Sequence, residues 1–298
     1  GEQIGTSPFY IGEYTAYGVA DAEGNLTINF NVAADNNISW LSFKNINYTV
    51  LPSASNLDFS ESTPIDNHIT TYEKDLSANG TTYCRQQEVT GWTIAVENGD
   101  ARAAGVFAYG GTPWLGGAGY LAPATNPEGV AEGNALGLIA VWSATVQYTQ
   151  PVTLLPGNYV LTVPVYNTGA GKNNMTKNLI GFIAENGTEY LAKTVSYASD
   201  KWTNEVITFT LDEVTNGVLS LGYSAPNAGG GNNHHLFVDR IEVKRVTEVD
   251  LAKATLATAI EAAKATVDAK AGVGDGLFMI PTAALETYAA AVEAAQEA

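Results

Sequence analysis

The 298-residue chain predicts an all-β sandwich that gives way to helices near its C-terminus. Three observations carry that prediction. Short runs rich in Val, Ile, Tyr and Thr recur between turn signals from residue 56 to 246, at the spacing a sandwich needs. The run HHLFVDRIEV, residues 234 to 243, closes the series with apolar Leu236, Phe237, Val238, Ile241 and Val243 around one acid, Asp239. From Thr247 onward the composition turns to Ala, Glu and Lys, with apolar residues at helical spacing.

The first 50 residues contain two strand patterns. Residues 25–31 alternate, with Leu26, Ile28 and Phe30 on one side and Asn25, Thr27, Asn29 and Asn31 on the other. Residues 40–50 form the second, with Leu41, Phe43 and Ile46 apolar. Fifty residues are too few for a sandwich of their own. Both patterns have an echo further on. Gly24 to Ile28 matches Gly217 to Leu221, and Leu41 to Ile46 matches Leu236 to Ile241. The two spacings differ by two residues, which the glycine-rich loop before residue 234 absorbs. This internal repeat predicts that residues 2–51 are the last strands of a preceding sandwich, packed against the complete one.

Residues 52–55 (Pro-Ser-Ala-Ser) read as a linker. Strands are expected near residues 83–93, 102–109, 136–142, 145–150, 157–167, 179–184, 188–196, 205–211, 217–224 and 235–246. Asn98-Gly99, Leu155-Pro156-Gly157-Asn158, Asn186-Gly187 and Asn216-Gly217 supply the turns. Residues 108–132, rich in Gly, Pro, Ala and aromatics, read as a long loop, and long loops in compact domains are often functional. Thr247 with Asp250 three residues on marks a helix start. Leu251, Leu256, Ile260, Ala263 and Val267 form its apolar stripe, the 272–276 stretch breaks it, and Pro281 opens a second helix. That helix carries no glycine cap, and the chain begins abruptly at Gly1, so a piece of a longer protein is expected.

Composition narrows the function. Apolar content of 45% with 15% charged residues describes a folding chain. A net charge of −17 repels phosphates, which argues against nucleic acid and anionic membrane as partners. No apolar run approaches the ~20 residues of a membrane-spanning helix. The single cysteine, Cys84, allows no intrachain disulfide and reads as a buried thiol. Adjacent His234 and His235 point to opposite faces of a strand, so they are a poor pair for one metal ion. No nucleophile motif or nucleotide loop is present, and the acids show no pairing that would assign a hydrolase.

Three motifs in order carry a family resemblance. They are the opening Asn56-Leu57-Asp58-Phe59 followed by Gly91-Trp92, the central stretch from Tyr148 to Asn167, and the closing LFVDRIEV. Together they resemble the galactose-binding-like jelly rolls of carbohydrate-binding modules attached to bacterial glycan-degrading proteins. The tail, from Asp250 through GDGLFMIP to Gln296, resembles the short helical repeats of the FIVAR type, which serve as spacers in cell-surface proteins. The resemblance implies a jelly-roll β-sandwich at 56–246, with N-terminal extra strands and a C-terminal α-helical hairpin at 247–298. It implies a non-catalytic, secreted or cell-surface protein that binds a polysaccharide or oligosaccharide beside other domains of a larger parent. It also implies a structural calcium where first and last strands meet, with Asp58 and Asp239 as candidate ligands.

Sugar binding needs aromatic faces for stacking and amides or acids for hydroxyls. Tyr109, Trp114 and Tyr120 in the long loop are the candidates, with Asn232, Asn233 and His234 at a polar loop tip that can reach the same place. Trp114, near glycines on both sides, either displays its ring or plugs the end of the core. Trp92, Trp142 and Trp202 are expected in the core. A spacer module is the rival reading, in which the long loop packs on a neighbouring domain. A glycoside hydrolase is the third, and it requires a paired-carboxylate cleft.

Overall fold

The structure, a computed structural model, describes residues 2–3, 10–21, 23–30, 42–64, 74–75, 85–97, 100–111, 114–115, 118–119, 122–141, 144–168, 177–193, 201–225, 233–269, 286–287 and 290. Two units divide the chain, Gly1–Val50 and Leu51–Ala298. In the first, β1 (Glu2–Gln3) and β2 (Tyr10–Ile11) form an antiparallel pair. Asp21 then builds a tight turn, its carboxylate accepting the N–H groups of Glu23 and Asn25 at 3.1 and 2.7 Å. Residues 25–30 and 42–50, expected as strands, belong to no ladder among the described residues, because no neighbouring strand is hydrogen-bonded to them.

The second unit begins with β3 (Lys74–Asp75), β4 (Arg85–Gln86), β5 (Thr93–Glu97) and β6 (Asp100–Ala108). A small hairpin follows, β7 (Trp114–Leu115) with β8 (Ala118–Gly119). Then come β9 (Asn134–Val141), β10 (Ala144–Leu154), β11 (Gly157–Thr168), β12 (Lys177–Asn178), β13 (Gly181–Ala184) and β14 (Glu189–Leu191). The series ends with β15 (Trp202–Leu211), β16 (Thr215–Ala225), β17 (Asn233–Val238), β18 (Glu242–Val246) and the helix α1 (Glu248–Ala269).

The smaller sheet runs β14-β13-β16-β10-β5, with β12 also on β16; the larger runs β15-β11-β17-β9-β6-β4-β3, with β18 also on β11. All pairs are antiparallel except β4 with β6. Alternation decides which side chains meet between the sheets. Val146, Tyr148, Val152 and Leu154 of β10 point inward against Leu161, Val163 and Val165 of β11, Leu136 and Leu138 of β9, and Leu236 and Val238 of β17. The same core takes in Phe59 and Trp92, so the opening motif lies inside the sandwich. Two-layer β-sandwich architecture is therefore the fold of the second unit.

Three expectations need correction. The closing run is not one strand: it breaks at residues 239–241, between β17 and β18. Val165 pairs with Val238 and Thr162 with Glu242, so two residues of β11 face three of the closing run. The cause is Pro164, which has no N–H to give the ladder; its carbonyl accepts the Asp239 N–H at 3.1 Å and the closing strand bulges. The 108–132 stretch is not loop throughout, since it holds the β7–β8 hairpin. Trp202 is half-buried on the outward side of the larger sheet, where it packs on a second, smaller aromatic cluster. Cys84, His68, Trp142 and most of the expected second helix lie outside the described residues.

Thr247 starts α1 as its sequence predicts. Its hydroxyl accepts the Asp250 N–H at 3.2 Å and donates to the Asp250 carboxylate at 2.7 Å. Thr247→Ala is expected to cost the helix about 1 kcal/mol, read as faster amide exchange over residues 248–251. Among the described residues no helix is long and apolar enough to cross a membrane.

Candidate functional site

Two surfaces of the sandwich gather polar chemistry. The first lies over the outward face of the larger sheet, beneath residues 109–111 and 122–133. Phe107, Ala135, Ile139 and Phe237 project outward there and are covered by Ala122 from the loop. Tyr109, Tyr166 and Trp202 pack around them edge to face, Trp202 lying 6.3 Å from Tyr109 and 5.5 Å from Tyr166 between ring centroids. The loop is fastened at three points. The Trp202 indole N–H donates to the Thr125 carbonyl at 2.7 Å. The Tyr109 hydroxyl donates to Asp239. Glu128 takes two hydrogen bonds from the Arg240 guanidinium, at 2.7 and 3.4 Å. A turn closed by the Asn126 side chain on the Val130 N–H, at 2.8 Å, holds Glu128 in position.

Arg240 sits on the bulge that Pro164 imposes, and three carboxylates converge on it. Asp239 and Glu128 each face the guanidinium, and Glu242 accepts from Nε at 3.1 Å while also accepting from Lys244 at 2.6 Å. Hydrogen bonding from Arg240 holds the Glu128 carboxyl below the usual carboxylate range. Lys244 first, and Arg240 second, do the same for Glu242. Burial, then the hydrogen bond to Asp239, pushes the Tyr109 hydroxyl far above the usual phenol range.

The second surface is the outward face of the smaller sheet, where a cavity of 340 Å³ opens. Ala95, Thr145, Gln147, Lys177, Leu179, Glu189 and Ser224 line it. Register puts them together: Thr145 lies opposite Ser224 on β16, Gln147 opposite Ala95 on β5, and Lys177 opposite Ser224. The Thr145 and Ser224 hydroxyls are 2.7 Å apart, and the Gln147 amide donates to the Ser220 hydroxyl at 2.7 Å. Lys177 and Glu189 form an exposed ion pair of 2.9 Å at the rim. Opposite Gln147 on β16 stands Gly222, where a Cβ would fall 2.2 Å from the Val146 carbonyl oxygen. Only glycine lets the two strands approach so closely there.

The residues singled out from sequence fall as follows. Tyr109 is half-buried with its hydroxyl spent on Asp239, which joins a candidate sugar residue to a candidate metal ligand. Trp114 opens β7 opposite Gly119. Asn233 and His234 open β17 opposite Val141 and Ala140 of β9. The side chains of these last three, and the whole of Tyr120 and Asn232, lie outside the described residues. Asp58 is exposed and bonded to its neighbour Ser60, whose hydroxyl and N–H hold its carboxyl below the usual range.

The two candidate ligands, Asp58 and Asp239, do not fit calcium as the described residues place them. The two oxygens of Asp239 face the Tyr109 hydroxyl and the Arg240 guanidinium, so a divalent ion there would meet a fixed positive charge. Among the described residues no three His, Cys, Asp or Glu side chains gather as a metal site requires. Sequence reasoning missed Arg240 and its partner Glu128, as well as Thr145, Gln147 and Ser224. A basic residue inside the closing run, and alternating polar residues along β10, were the available signals.

No family model matches the chain, and no curated protein matches it. Solved structures give distant likenesses. One is the carbohydrate-binding module TmCBM61 in complex with β-1,4-galactotriose, 17% identical, covering 53% of this chain and 92% of that one, with a TM-score of 0.36. Another, from carbohydrate-binding modules of the β-sandwich superfamily described as promiscuous in specificity, is 13% identical and covers 62% and 64%, with a TM-score of 0.31. A third is the enzymatically active domain of tailspike protein 4 of bacteriophage CBA120, 10% identical, covering 53% of this chain and 20% of that one, with a TM-score of 0.34. Likenesses this distant decide nothing about ligand or reaction.

Proposed function

We propose that the second unit is a non-catalytic glycan-binding module, and that its ligand lies on the outward face of the smaller sheet. The observation that carries this reading is the 340 Å³ groove lined by Thr145, Gln147, Ser224, Lys177 and Glu189. Hydroxyls and an amide at strand spacing both donate and accept, which matches the alternating demands of sugar hydroxyls. Ala95 and Leu179 offer apolar surface to the C–H face of a ring. The lysine is already paired, and the chain carries a net charge of −17, so a neutral glycan is favoured over an acidic one. A single shallow groove without a stacking ring among its lining residues binds weakly, with a Kd of about 0.1–1 mM. A secreted or cell-surface setting belongs to the same proposal.

Affinity electrophoresis through a panel of neutral and acidic polysaccharides, followed by titration with oligosaccharides that include β-1,4-galactotriose, tests it. Gln147→Leu is expected to weaken retention about tenfold, the worth of one or two lost hydrogen bonds. Trp114→Ala is expected to leave retention unchanged. The reverse result moves the site to the 109–133 loop, and retention on no glycan by the folded protein rejects glycan binding. That last outcome favours the spacer reading.

A further inference from the structure

Among the described residues that line the groove on the smaller sheet, Lys177 and Glu189 alone are charged, and they face each other. Both Glu189 carboxylate oxygens lie against the Lys177 ammonium, at 3.0 and 2.9 Å. Each strand fixes its half of the pair. Tyr190 turns inward, its ring stacked 4.5 Å from Phe209, so alternation turns its neighbour Glu189 outward. The turn before β14, closed by the Gly187 N–H on the Ala184 carbonyl at 2.9 Å, sets where that carboxylate stands. On β12, Asn178 is buried opposite Tyr223 and its side chain accepts the Ile180 N–H at 3.0 Å. Lys177 beside it therefore turns outward, opposite Ser224.

A lysine ammonium has three N–H donors, and a carboxylate has about four acceptor sites. One ion pair uses only part of each. At 50% and 44% exposure, the two side chains keep donors and acceptors open along the groove. A sugar hydroxyl both donates and accepts, so it satisfies Lys177 and Glu189 together. A ligand carboxylate or sulfate only accepts. Brought to Lys177, it meets the Glu189 oxygens with no proton between them, at a separation where like charges oppose each other. We propose that Glu189 sets the ligand class of the groove: it lets the Lys177 cation serve neutral, hydroxyl-bearing sugars and bars acidic ones. This role rests on the groove being the glycan site, and it places selectivity in one side chain rather than in the net charge of −17.

Glu189→Gln in the full chain, titrated with β-1,4-galactotriose and with an oligogalacturonate of equal length, tests the role. The pair is exposed, so its loss is expected to leave the thermal midpoint nearly unchanged. The variant is expected to gain about fivefold in affinity for the oligogalacturonate relative to galactotriose, the upper end for an exposed ion pair. That gain is expected to vanish at about 1 M salt, where screening shortens to ~3 Å. Glu185→Gln makes the same change in net charge from the turn between β13 and β14, outside the groove lining, and is expected to gain nothing. Equal gains from the two variants overturn the proposal and return selectivity to net charge. An unmodified chain that binds the oligogalacturonate as well as galactotriose overturns it too. So does a Glu189→Gln variant that gains nothing while galactotriose still binds; both results leave the groove itself standing. Binding of neither sugar, or galactotriose binding that Gln147→Leu does not weaken, removes the groove as the glycan site and this role with it.

Discussion

Gln150→Leu is expected to lower the stability of the second unit by about 3 kcal/mol, about 1 kcal/mol for each of three hydrogen bonds lost from a buried side chain. Gln150 lies on β10 among inward-facing residues and is 3% exposed. Its carbonyl oxygen accepts the Ser55 N–H at 2.8 Å, and its amide donates to the carbonyls of Ser55 and Gly91 at 3.0 and 2.9 Å. One side chain thus satisfies three backbone groups and ties the entry segment 52–55 to the turn before β5. Leucine fills the space and makes none of the three bonds. Near 250 residues a loss of that size corresponds to a Tm lowered by about 6–12 °C. Gln147→Leu, three residues earlier but facing outward, breaks one hydrogen bond to Ser220 and is expected to cost about 1 kcal/mol or less. Equal effects at the two positions, measured by urea denaturation, would mean that the Gln150 latch contributes little.

The same latch shows what the sequence could and could not say. The alternation of β10 was legible, and so was the turn at Leu155-Pro156 that sets its register with β11. The opening and closing motifs were legible as well, and they meet: the Trp92 indole donates to the Asn56 carbonyl at 3.2 Å, and the Ile241 N–H donates to the Leu57 carbonyl at 2.9 Å. Each motif is legible by itself; their meeting is not. The functional surfaces depend on pairings that no local pattern encodes. Thr145 and Ser224 lie 79 residues apart, and Glu128 lies 112 residues from Arg240. The groove exists only because β10 and β16 pair in one register, and a shift by one residue would turn its polar row inward. Aromatic side chains with polar tips pose a related difficulty. Tyr109 and Trp202 each have a polar tip, and from sequence nothing distinguishes a tip offered to a sugar from one spent on Asp239 or Thr125.

Arg240→Ala is expected to lower stability by about 2–3 kcal/mol, the low end for a broken buried pair. Arg240 itself is 30% exposed, whereas Asp239 is only 8% exposed and would be left with the Tyr109 hydroxyl as its remaining side-chain partner. Loss of the anchor on Glu128 is expected to raise amide exchange over residues 126–130. Arg240→Lys keeps the charge but not the planar fork that spans Asp239, Glu128 and Glu242, so it is expected to recover only part of the loss. Acid should act in the same direction as the mutation. The Glu128 and Glu242 carboxyls titrate lower in the folded chain than unfolded, so their contribution is full above the unfolded carboxylate value of about 4.3 and is lost as pH falls through the lowered folded values. The decisive arm is calcium. With a guanidinium already at the meeting point of the carboxylates, neither calcium nor chelator should move the thermal midpoint of the unmodified protein. A midpoint that falls on chelation would establish a divalent ion at this junction and displace Arg240 as its resident cation. If chelation has no effect while Arg240→Ala destabilises, the chain itself supplies the positive charge that holds its closing strand and long loop together.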